Sequence, residues 1–217
     1  MLVAFSAAGI WNDQVQARAV IQREANAMEN IFALASSYPN ELREEVYYEL
    51  IRHGRRILDS DWPAMQQQLR PDVNENLYDR SNNPLVTLIT RVATKAARGT
   101  QRLPLSDLMV GQVLDLRSAR LQREMIARGG ISSAQWLAML LIAIAALMVI
   151  MLSQEKQFSM RLRMAGIYVA AVSVAFVVIL AHDRPFAGAS GVKPIPIEQA
   201  IKRIQYAHAQ QATNGTQ

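Results

Sequence analysis

The chain has 217 residues, with 23 Lys and Arg, 18 Asp and Glu, three His and no Cys. A hydrophobic share of 51% against 19% charged residues excludes wholesale disorder, and the lack of Cys excludes disulfides, thiolate metal sites and a Cys nucleophile. The formal charge of +5 is unevenly placed: residues 12–130 hold 16 basic and 15 acidic side chains and the remainder holds 7 and 3, so the excess flanks the most apolar part of the chain, as in a membrane protein and unlike a nucleic-acid-binding face.

Residues 1–11 are apolar and end at Trp11. Eleven residues are too few to span a bilayer, and the stretch lacks the basic start and cleavage site of a signal peptide. It reads as the C-terminal part of a membrane helix with Trp11 at the interface. A buried or amphipathic N-terminal helix is the alternative. Residues 12–130 read as a helical cytoplasmic region. Ala17, Ile21, Ala25, Met28, Phe32 and Ala35 recur at three- and four-residue spacing and predict one helix with a single apolar stripe. Glu24 and Asn26 lie inside that helix beside Arg23. They fit a solvated face, or a polar contact with a neighbouring helix or subunit.

Pro39 and Asn40 end this helix and open the next, which is expected to reach about Leu58 with Leu42, Val46, Leu50 and Ile57 on one face. Glu41, Glu44 and Glu45 at its start and Arg52, Arg55 and Arg56 near its end suit the helix dipole. His53 falls on the apolar stripe and reads as a packing residue. Asp61-Trp62-Pro63 predicts a break, with Asp61 as N-cap, Trp62 as an aromatic anchor and Pro63 in the first turn. Residues 71–83 read as loop. Pro84 opens a helix to about Gly99, and Pro104 opens a last one reaching Gly129-Gly130. No alternating run predicts a strand.

Residues 129–154 carry no charge. The core at 134–152 is roughly 28 Å long as a helix, close to the hydrocarbon thickness of a bilayer. A second uncharged run follows, giving a helix at 164–182. The connection at 153–163 is short, so the pair is expected to form an antiparallel hairpin over 131–182. Basic residues on the two sides of the hairpin favour residues 12–130 and the 183–217 tail in the cytoplasm. The tail is expected to hold one short helix at 197–209.

Chemistry-bearing motifs are scarce. His53, His182 and His208 lie far apart with no ligand partner at helical spacing, so neither a metal nor a cofactor is expected. No nucleophile elbow, phosphate-cradling loop or zinc-protease motif occurs, and no catalytic residue is assigned. Residues 188–191 read as a turn. Asp183-Arg184-Pro185-Phe186 stands at the end of the second run. Pro185 ends the helix and Phe186 suits the interface. Asp183 and Arg184 fit pairing with each other or with headgroups, or an ion path.

Four stretches together resemble the bestrophin-like membrane proteins of bacteria. They are Leu2-Val-Ala-Phe5-Ser6, Arg23-Glu24-Ala25-Asn26-Ala27-Met28, Asp61-Trp62-Pro63-Ala64-Met65 and Asp183-Arg184-Pro185-Phe186-Ala187-Gly188. The resemblance spans nearly the whole chain and places Met1 inside what would be the family's second membrane helix. It implies an all-α membrane protein of the bacterial inner membrane, with four membrane helices around a cytoplasmic helical region. It also implies a homo-oligomer, an anion as permeant species and Phe5 as the nearest aromatic at a pore. No enzyme activity and no nucleic-acid partner are expected. A membrane-anchored helical scaffold or sensor without transport is the alternative.

Overall fold

Apolar spacing in the first 35 residues produces one helix, longer than the stripe itself. The computed structural model describes residues 2–67, 106–152, 158–188 and 191–214. Within them α1 runs unbroken over Leu2–Ala35, about 51 Å at 1.5 Å per residue. The apolar start and the amphipathic stretch after Trp11 are therefore one rod. Ala17, Ile21, Ala25, Met28 and Ala35 are buried as their spacing requires.

Helix α2 spans Asn40–Arg56, with Glu41 in its first turn and His53, Arg55 and Arg56 in its last. No break follows. A π-helical turn at Ile57–Asp61 leads directly into α3 at Trp62–Gln66. Asp61 has helical angles (φ −64°, ψ −42°) and makes no capping hydrogen bond, so the expected N-cap role is corrected. Pro63 has no N–H for the carbonyl four residues back, and its ring would crowd that carbonyl. The wider π turn before it accommodates both effects, and its extra residue re-phases the helix so that Asp61 and Trp62 both face inward.

Helix α4 spans Ser106–Arg128 and returns antiparallel along α1. Arg23 donates to Asp115 at 2.6 Å and Asn30 to Gln112 at 3.0 Å across the pair. Residues 129–132 then lead to α5 at Ser133–Leu152. Ser132 Oγ accepts from the Gln135 amide at 3.2 Å, and Gln135 Oε1 accepts from the Ser132 amide at 2.9 Å. This reciprocal capping box starts the helix at the first uncharged turn. Helix α6 spans Phe158–His182, six residues earlier than expected, because Arg161 and Arg163 lie on its first turns rather than in a loop. Arg161 reaches the Met151 carbonyl at 3.5 Å, near the end of α5. The tail helix, α7, covers Ile195–Asn214 and is not short. Among the described residues there is no strand. The expected loop at 71–83 and helix at 84–99 lie outside them.

Two cores form. The larger joins α1, α2, α3, α4 and α7. Ile21, Leu42, Leu50 and Ile204 are essentially inaccessible there, and each contributes roughly 1.5–3 kcal/mol by burial. Packing is tightest at Gly54, where an added Cβ would lie 2.6 Å from Ile201 on α7 and 3.0 Å from Met28 on α1. Only glycine lets the three helices approach so closely.

The smaller core joins Ile10 of α1 to Met139 of α5 and Ile179 of α6. Trp136 stacks on Phe176 at 5.8 Å, and Tyr168 donates to the Ala143 carbonyl at 3.0 Å across the hairpin. Otherwise α5 and α6 face outward. In their most apolar stretches only 6% and 11% of residues are buried. A core helix of a soluble protein would show the reverse. Helices this long and apolar, and this exposed, belong in lipid, so the chain is an all-α membrane protein.

Candidate functional site

Burial of charge marks one place above all others. Among the described residues, Glu24, His53, Asp61 and Arg123 are buried ionisable groups, and they meet. Glu24 sits on α1 between Ile21 and Met28, on the inward face. Arg123 is the next inward position after Met109, Val113, Leu116 and Ala119 of α4. His53 is on the last turn of α2, and the π turn turns Asp61 toward them.

Arg123 Nε donates to Glu24 Oε2 at 2.8 Å, and Nη2 donates to Asp61 Oδ2 at 3.1 Å. Nη1 lies 3.6 Å from the Met65 sulfur. Arg120 approaches Asp61 at 3.9 Å from the solvent side while bonded to Glu124 at 2.9 Å. His53 Nε2 stands 3.5 Å from Glu24 Oε1. That is an ionic-range contact without hydrogen-bond geometry, and both ring nitrogens lack a hydrogen bond.

Burial pushes the Glu24 carboxyl up, but Arg123 and then the contacts with His53 and Arg123 outweigh it and hold the group below the ordinary glutamate range. Burial likewise opposes the charge on Arg123, and Glu24 and Asp61 overcome it, raising the guanidinium further. A carboxyl depressed in the folded state adds stability above its unfolded pKa and loses it as pH falls through the folded one. Thermal unfolding in detergent is expected to be steady near neutral pH and to move to lower temperature below about pH 4. Glu24→Gln should flatten that acid limb. An unchanged acid limb in the variant would refute the assignment.

The cluster offers no nucleophile, and no group of three metal-ligating side chains occurs among the described residues. What it can do is lock four elements together, α1, α2, the π turn and α4. Of its two readings Glu24 takes the second, a contact with neighbouring helices, while Asn26 is exposed and accepts from Gln22 at 2.9 Å.

The other sequence-marked residues gather at a second corner. Trp62 packs edge-on to Phe186 at 5.5 Å. Pro185 and Phe186 are buried, Pro63 is half-buried, and Arg184 and Gly188 are exposed. Gly188 takes φ +78°, in the left-handed region that favours glycine. Asp183 accepts from the Ile131 amide at 2.7 Å and makes no pair with Arg184. Asp13 on α1 faces it, and burial first, then the Asp183 charge, raises the Asp13 carboxyl. Phe5 lies in the first turns of α1, away from both sites in sequence.

Arg123 is not among the residues marked above from the sequence. Its position on the apolar stripe of α4 was the signal.

Neither the curated proteins nor the solved structures contain a match to this chain. A family model for the bestrophin-like domain matches residues 1–197. That match takes in both charged corners and both apolar helices, and the chain belongs to the bestrophin-like family.

Proposed function

We propose that the protein is an oligomeric, multi-pass protein of the bacterial inner membrane that passes anions, with the α1–α4 bundle and the tail in the cytoplasm. The family match supports the class. The observation that carries the reading is the outer face of α1. Trp11, Val15, Ala19, Gln22 and Asn26 are all exposed, and at this spacing they lie within one arc of the helix. This stripe runs from the level of the hairpin into the bundle, and the one charge at its edge is the exposed cation Arg18. It suits a face turned toward other copies around a shared path. Phe5, nearer the start of α1, is the aromatic closest to the position the family resemblance assigns to a pore. The reading includes no enzymatic step.

Reconstitution into liposomes tests it. The expected result is chloride release above that of empty vesicles, together with a detergent complex heavier than one chain. No flux together with a monomer would reject the proposal. A second reading, a membrane-anchored scaffold or sensor, is favoured by the scarcity of polar side chains on α5 and α6. It predicts no flux and stable protein partners captured by crosslinking, lost when residues 12–130 are deleted.

A further inference from the structure

The ends of α5 and α6 that meet the bundle carry unbalanced positive charge. The Ile131 amide donates to Asp183 at 2.7 Å, which sets the start of α5 and the end of α6 at one level. Arg128 is the last residue of α4, three before Ile131, and Arg184 follows Asp183 directly. The Val192 amide donates to the Pro185 carbonyl at 2.8 Å, so the backbones of Lys193 and Arg184 each lie one residue from a shared hydrogen bond. All three cations are exposed, and among the described residues none has an ion-pair partner.

Elsewhere in the bundle exposed arginines are often matched. Arg23 pairs with Asp115, Arg52 with Glu49 and Arg203 with Glu29. Of the acids at this level, Asp183 holds the Ile131 amide, and its charge, after burial, raises the Asp13 carboxyl toward its neutral form. Exposed apolar side chains follow close in the chain: Leu180 on α6 four residues before Arg184, Ile195 at the start of α7 two after Lys193, and Leu137 in the first turns of α5. Positive charge bordering an apolar surface of this length complements an anionic headgroup joined to acyl chains.

We propose that Arg128, Arg184 and Lys193 form a seat for the phosphate of an anionic phospholipid, whose chains lie along α5 and α6. The proposal rests on the membrane character of the hairpin and is independent of anion passage. Its occupant is a lipid rather than free phosphate, because the apolar helices begin within one turn of the cations.

The test uses the full chain in a neutral detergent. Phosphatidylglycerol is expected to raise the melting temperature and to stay bound in native mass spectrometry, whereas phosphatidylcholine is not. The triple variant Arg128→Gln, Arg184→Gln, Lys193→Gln should lose this retention, by about fivefold per cation. A charge-matched control, Arg55→Gln, Arg117→Gln, Lys202→Gln, should keep it. Lys193→Gln alone, at an exposed position outside the helices, should lose part of it and covers the case in which the triple variant misfolds. Equal retention of both lipids, an equal loss in the control, or reproduction of the stabilisation by inorganic phosphate at the same concentration would each overturn the proposal.

Discussion

Replacing Arg123 by Ala is expected to lower the unfolding free energy by about 3–5 kcal/mol. The side chain is fully inaccessible and holds two buried carboxylates, Glu24 at 2.8 Å and Asp61 at 3.1 Å. Its removal strands two negative charges where water cannot reach them. The size of the effect reflects that desolvation and not the net worth of the ion pairs, which a well-packed apolar set could equal. Two further variants separate these contributions. Arg123→Lys keeps the charge but loses the fork that addresses both acids, so it should recover only part of the loss. Arg123→Met combined with Glu24→Leu and Asp61→Asn removes the buried charge itself and should recover most of it. Denaturant unfolding followed by circular dichroism in detergent measures all three. A loss under 1 kcal/mol for Arg123→Ala would mean that the cluster is hydrated and the lock is not closed.

Trp62→Ala is expected to lower stability by about 3–5 kcal/mol through cavity formation. Trp62 is buried and meets Phe186 edge-on, so the contact joins the end of the π turn to the segment following α6. Its loss loosens the junction between the bundle and the hairpin as well as the core. Limited proteolysis near residue 188 should therefore accelerate along with the fall in melting temperature. The indole N–H has no hydrogen-bond partner, so Trp62→Phe removes a burial penalty along with some volume. It should lose less than about 1.5 kcal/mol. If Phe proved as damaging as Ala, the edge-to-face packing would not be the source of the effect.

Much of this architecture was legible in residue order. The α1 and α2 stripes are read directly from spacing, because a helix turns about 100° per residue and burial selects one face. The α5 and α6 helices are equally plain, since twenty residues without charge have few other uses. The meeting of Glu24 with Arg123 was not legible, as the two are 99 positions apart and chain order says nothing about which helices become neighbours. The π turn was hidden as well. Asp-Trp-Pro is a common start of a helix, and local preference pointed to a cap. The packing around Trp62 and Arg123 outweighed that preference and kept the chain helical.

By itself, the order of residues determined the helical class and the membrane character, because hydropathy and periodicity act locally. The tertiary structure alone decided that Glu24 is buried rather than solvated, and that Asp61 serves Arg123 rather than a helix end. It also decided that Asp183 turns to the Ile131 amide and leaves Arg184 without an ion pair among the described residues. The reason is common to all of these. A charged side chain is placed by whichever partner the fold brings near, and in a low-dielectric interior that choice outweighs any preference a short segment holds alone.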